Sequence, residues 1–174
     1  MKKIFFIGFF LFGCNAFSQT SNQFSLNFLI PSAEYEASVG DNSTIDGLVG
    51  LGFGYHDASY LDEPQFGIFP QFEAQYRYYY NFKKREEKGK KISENSGNYI
   101  AAVGILAGGN PVFGDMELRN DYSGLIGPAW GLQRIYDSNF KLNLNLGAGY
   151  GFNDYDESSF QVLIDIQLGF KLGR

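Results

Sequence analysis

The sequence has 174 residues, with 14 basic against 19 acidic residues for a net charge of −5, and a single cysteine. The length suits one domain, the acidity argues against a nucleic-acid partner, and one cysteine excludes a disulfide framework. Aromatic residues reach 18%, including 12 Tyr and 18 Phe, beside 22 Gly; that suits a β-protein with wide interfacial contacts better than a helical enzyme.

Residues 1–18 read as a cleavable export signal. Lys2 and Lys3 supply the positive region, and residues 4–12 an apolar run too short to span a membrane as a helix. Ala16 and Ser18 place small side chains where a signal peptidase needs them, so cleavage is expected after Ser18. Residues 19–174 then form one barrel domain. Leu11-Phe12-Gly13-Cys14 is similar to a lipoprotein box, from which Phe12 departs, and Cys14 is read as discarded with the signal. Nothing after the signal reads as a membrane-spanning helix.

Eight strands follow in chain order. The first is short, over residues 24–30, with a turn expected at Pro31-Ser32 because Pro cannot donate to a ladder. Residues 32–39 set Ala33, Tyr35, Ala37 and Val39 against Glu34, Glu36 and Ser38. In residues 44–55, Ile45, Val49, Leu51, Phe53 and Tyr55 oppose Thr44, Asp46, Gly50, Gly52 and Gly54. Residues 66–82 set Phe72, Ala74, Tyr76, Tyr78, Tyr80 and Phe82 against Gln71, Glu73, Gln75, Arg77 and Asn81. Residues 99–107 are apolar and small on both faces. Residues 123–135 set Ile126, Trp130 and Leu132 against Gly127, Gly131 and Gln133, with a bulge expected at Pro128. Residues 140–152 alternate strictly, with Leu142, Leu144 and Leu146 on one face and Lys141, Asn143 and Asn145 on the other. Residues 160–172 repeat this, with Leu163 as the one apolar intruder on the polar face. Strict alternation sends one set of side chains to each face of a strand.

Several of these segments are long enough to cross a bilayer at a tilt, and the bulky apolar set carries the aromatics. The expected fold is therefore all-β: an up-and-down antiparallel transmembrane barrel of about eight strands. Glu34, Glu36, Glu73, Arg77, Lys141, Asp165 and Lys171 then face the lumen as paired plugs, or line a narrow path for ions or small solutes. Residues 40–43 and 136–139 make short periplasmic turns; residues 56–65, 108–121 and 153–159 make longer extracellular loops. The connection over residues 83–97 is long and basic for its side, and its mixed-charge run reads as a solvated turn. Tyr78, Tyr80, Phe82, Tyr99, Tyr136, Phe140 and Phe170 mark one aromatic belt, and Tyr55, Phe66, Tyr122, Tyr150, Phe152 and Phe160 the other.

Tyr35-Glu36, residues 50–55 (GLGFGY), residues 75–81 (QYRYYYN) and Gly97-Asn98-Tyr99 carry a resemblance. With them the chain resembles a family of small outer-membrane β-barrel proteins of Bacteroidetes-type bacteria, over nearly its whole mature length. The resemblance implies the barrel and its outer-membrane location, and no known chemistry. The chain end is similar to a barrel-assembly signal, with Gln167, Gly169 and Leu172 at the usual spacing and Arg174 in place of the expected aromatic.

Motifs for chemistry are weak. His56 has Asp57 and Ser59 close in sequence, a combination that a lipid-modifying barrel enzyme would use, but it is read as a solvated loop histidine. Asp154, Asp156 and Glu157 lack the glycine and distal glutamate of a calcium loop. Gly50, Gly52 and Gly54 follow a strand period and make no phosphate loop. No enzyme, metal or cofactor is expected. The expected role is structural or interactive, with the extracellular loops as contact surface. Expected partners are outer-membrane lipid, lipopolysaccharide and, during biogenesis, the barrel-assembly machinery. The alternatives are the narrow channel, the lipid-modifying enzyme and a soluble lipocalin-like barrel with its apolar face inward.

Overall fold

The computed structural model describes residues 19–56, 63–116, 119–155 and 157–173. The proposed signal peptide, Cys14, Asp57, Ser59, Asp156 and Arg174 lie outside them. The strands are β1 (Gln23–Asn27), β2 (Ser32–Gly40), β3 (Ser43–His56), β4 (Gln65–Tyr79), β5 (Asn98–Gly108), β6 (Phe113–Gly114), β7 (Tyr122–Ile135), β8 (Phe140–Asn153) and β9 (Ser158–Leu172). A five-residue helix, α1 (Phe82–Glu86), follows β4. Every neighbouring pair is antiparallel, and β1 pairs with both β2 and β9, so the sheet closes into a ring. The eight strands expected from alternation are the eight staves of this ring; β6 is a two-residue addition along β4.

Closure sorts the two faces of every strand. Phe160 and Ile164 are 78% and 69% exposed, whereas Arg77 and Lys141 are 0% exposed. Apolar side chains thus cover the outside and polar ones fill the inside, the inverse of a soluble ligand-binding barrel. Leu163, the intruder, is buried inside together with Leu48, Val103 and Leu125.

Four details depart from the expected strand map. β1 ends at Asn27, and residues 28–31 form the turn. Pro128 causes no bulge: the β5–β7 register runs unchanged through Ala102↔Pro128. The β7–β8 register is also the same on both sides, although no pairing joins Gly127-Pro128 to Ala148-Gly149. Bare glycines at 127, 147 and 149 let the two backbones approach there, so no extra residue is needed. Two aromatics leave the expected belt: Tyr99 is wholly inside the ring, and Phe82 starts α1 and stacks under Tyr79 with centroids 4.8 Å apart.

The two ends of the ring are unlike. At the turn end, the mixed-charge residues of the connection after β4 are mostly exposed, as expected. The stretch that follows folds back under the ring, burying Asn95 and Ser96. Asn95 Nδ2 donates to Ser21 O at 2.9 Å, and Ser21 N to Asn95 Oδ1 at 2.8 Å. Ile135 N donates to Ser96 Oγ at 3.0 Å. This connection is a cap, tied to both the N-terminal segment and β7. At the loop end the wall is uneven. β5 covers β4 only up to Gln71, and β6 continues that edge at Gly67 and Ile68. On the opposite side, β1 and β2 stop short, and among the described residues no such strand takes over.

The glycines carry the tight approaches. Gly131 pairs with Tyr99, and a methyl group added there would run into the Tyr99 ring. Gly47 has nothing within 4 Å of such a methyl. Gly131→Ala is expected to lower stability by about 1–3 kcal/mol, the usual cost of overpacking, whereas Gly47→Ala costs less than about 0.5 kcal/mol. Urea unfolding midpoints of the two refolded variants test this difference.

Candidate functional site in the barrel lumen

A ring of eight strands encloses little more than its own side chains, so inward polar residues must satisfy one another. Arg77, from β4, sits at the centre. Its Nη2 lies 3.0 Å from Asp46 Oδ1, and its Nη1 lies 3.5 Å from Glu34 Oε1 and 3.7 Å from Glu36 Oε1. Nε donates to Gln75 Oε1 at 2.8 Å, and the guanidinium lies over the Tyr99 ring, 4.9 Å from its centroid. Lys141, from β8, pairs with Glu34. One planar cation thus reaches three carboxylates from β2 and β3, a geometry that a lysine's single ammonium does not reproduce.

Neutral groups complete the plug. Glu36 accepts from Tyr79 Oη at 2.7 Å, Thr44 Oγ1 at 2.6 Å and Gln133 Nε2 at 2.9 Å, and also from Gln23. Tyr99 Oη lies 2.7 Å from Oδ1 of both Asn143 and Asn145. Below this layer Tyr79 and Phe82 stack against the cap. The interior is therefore filled from the cap up to the level of Arg77.

The sequence-predicted lumenal residues divide into three groups. Glu34, Glu36, Arg77 and Lys141 meet in the plug. Lys171 instead reaches the cap, where it pairs with Glu94, and Glu94 also pairs with Lys91 at 2.7 Å. Glu73 and Asp165 lie above the plug. Glu73 accepts from the amides of Gln75 and Gln71, and Asp165 Oδ2 accepts from Asn145 Nδ2 at 3.0 Å and Gln167 Nε2 at 2.8 Å. Among the described residues, neither has a basic side chain within ion-pair distance.

The seven residues expected in the lumen do not include Asp46, which the alternation nevertheless puts on the polar face, nor Tyr79, Tyr99 and Asn95. The first three share strand parity with the inward set, so strict counting finds them; Asn95 has no such signal, because it sits in the cap. At the loop end the lumen widens into a cup of about 800 Å³, lined by Phe69, Gln71, Met116, Asn120, Phe152 and Gln161 among others. Asp154 Oδ2 accepts from Asp121 N at 3.1 Å, which ties two of the loops at its rim. His56 pairs with Gln65 at the top of β3; its suggested catalytic partners lie outside the described residues. No three metal-binding side chains cluster among the described residues.

Removing the central cation strands buried anions. Arg77→Ala is expected to destabilise the ring by about 3–5 kcal/mol, and Arg77→Lys to restore part of that, read as shifts in the urea midpoint. The cap has its own pH dependence. Partial burial pushes the Glu94 carboxyl up, but hydrogen bonds and charge from Lys171 and Lys91 outweigh it and hold the group below its ordinary value. Its contribution is therefore full at neutral pH and lost as pH falls through the folded value. Glu94→Gln is expected to cost about 0.5–1 kcal/mol of local stability. Hydrogen exchange over residues 91–97 should separate wild type from this variant at neutral pH and not in strong acid.

Comparison with known proteins finds no matching family, no matching curated protein and no matching solved structure.

Proposed function

We propose that this chain is a bacterial outer-membrane β-barrel, exported by its N-terminal signal, with a structural or interaction role and no channel activity. The observation that carries the reading is the sorting of polarity: an apolar, aromatic-rich exterior around a charge-paired interior. Hydrocarbon accepts such an exterior, and where the strands close into a full ring around the plug their pairing satisfies the wall's backbone groups without water. The capped turn end then faces the periplasm, and the cup with its loops faces outward as the contact surface. Outer-membrane lipid and lipopolysaccharide surround the barrel after the assembly machinery has inserted it.

The filled plug favours this role over a narrow channel. Arg77, Tyr79, Tyr99, Gln133 and Lys141 are wholly buried at the levels where a conducting path would run. The expected results are a heat-dependent gel shift of the chain in outer-membrane fractions, unboiled against boiled, and no single-channel conductance in planar bilayers. A soluble periplasmic product without a shift would overturn the membrane assignment; steady conductance would replace the structural role by the channel.

A further inference from the structure

The ring is complete at its turn end and incomplete higher up. β1 pairs with β9 only from Gly169 to Leu172, and Phe28 N reaches Leu168 O at 2.8 Å. β2 pairs with β3 only up to Gly50, and Leu51 N reaches Pro31 O at 3.1 Å. Above those contacts β9 from Ser158 to Gln167 pairs with β8 alone, and β3 from Gly52 to His56 pairs with β4 alone. Among the described residues two strands fewer line the wall there, each worth about 4.8 Å of circumference. The result is a lateral slot between β3 and β9, floored by the β1–β2 turn.

The slot leads into a cavity of about 320 Å³ directly above the plug. Glu73, Asp165, Gln71 and Gln167 line it, and its rim carries Phe53, Val162 and Ile164. These rim side chains are 61%, 67% and 69% exposed on the outside of the ring. Leu48, Ile105 and Leu163 add apolar lining, and the polar part is one-sided in its chemistry. Glu73 and Asp165 receive only neutral amide donors, as described above. Gln167 is 6% exposed; its Nε2 is used on Asp165, and its Oε1 has no donor at all. A buried carboxylate and a half-buried one, neither with a cation at ion-pair distance, and a buried carbonyl without a donor ask for a positively charged group with several N–H bonds. Apolar rims outside the slot ask for a hydrocarbon chain.

We propose that the slot admits a membrane amphiphile bearing a protonated primary amine. Its head seats among Glu73, Asp165 and Gln167, and its chain stays in the bilayer against Phe53, Val162 and Ile164. The inference rests on the outer-membrane reading and names the ligand class for the unfilled part of the lumen. Lateral entry lets the chain remain in hydrocarbon while only the head is transferred.

The test uses the full chain in phosphatidylcholine vesicles and a dodecylamine carrying a photoreactive diazirine at its chain end. Labelling is expected to concentrate on residues 51–53 and 160–166. It should fall about tenfold or more in the Glu73→Gln/Asp165→Asn variant, as loss of charge-assisted hydrogen bonds implies. Gln167→Leu, which removes no charge, should lower it a few-fold and keeps the test open if the double variant misfolds. Equally tagged dodecanol should label the barrel exterior evenly and ignore both variants. Even labelling by the amine, or labelling indifferent to both variants, overturns the proposal. Equal competition by ethylamine would make the ligand a soluble amine entering through the cup, and cross-linking of β9 to β9 would make the occupant a second copy of the chain. Both outcomes exclude the amphiphile. Failure of the chain to enter vesicles at all removes the membrane reading itself, before any labelling is scored.

Discussion

An eight-stranded ring leaves no room for water-filled space at its waist, so every inward side chain must find its partner among the other inward side chains. That constraint explains why Arg77 dominates the lumen. Among the described residues it is the one group that reaches three carboxylates, and the amides of Gln75 and Gln133 and the face of the Tyr99 ring complete its surroundings. A buried cluster of this kind adds little net stability over apolar packing, but losing one member is costly. It therefore acts as a register lock: β2, β3, β4, β7 and β8 each place a side chain in it, and a slip of one residue would send all of them into the apolar exterior.

The plug divides the molecule into parts with different duties. Toward the turn end, Tyr79, Phe82 and the cap close the ring with stacked rings and main-chain hydrogen bonds. Toward the loop end, the glycines of β3 and β8 keep the lumen open, and the cup follows. The wall mirrors this division, being continuous around the plug and cut away above it on the β1–β2 side. A stable lower half is what allows the upper half to be open, because the ladders around the plug already hold the ring together.

Alternation made most of the wall readable in advance. Residues 140–152 and 160–172 show their period directly, because a strand's two faces meet different solvents and the residue types follow. The lumenal positions of Glu34, Glu36, Arg77 and Lys141 follow from the same parity. Tyr99 and Phe82 depart from the expected belt for a shared reason: a tyrosine or phenylalanine near a strand end suits an interfacial belt, a plug and a cap equally well. Pro128 suggested a bulge because sequence shows the missing N–H but not the glycines across the strand pair that accommodate it. In sequence the cap looks like a plain turn, because a charged run masks the short stretch after it.

The sequence by itself determined the class of fold, the number of long strands and the face of most side chains in them, since these depend on the period of the backbone; the ends of β1 and β4 and the inward placement of Tyr99 and Phe82 did not follow from it. Only the tertiary structure decided which inward charges meet. Glu34 and Lys141 are far apart in the chain and pair because of ring closure, whereas Lys171 turns to Glu94 in the cap. Only the structure, likewise, left Glu73 and Asp165 without a cation and opened the slot beside them. Register and stagger set those outcomes, and they arise from how strands of unequal length are joined around a closed ring.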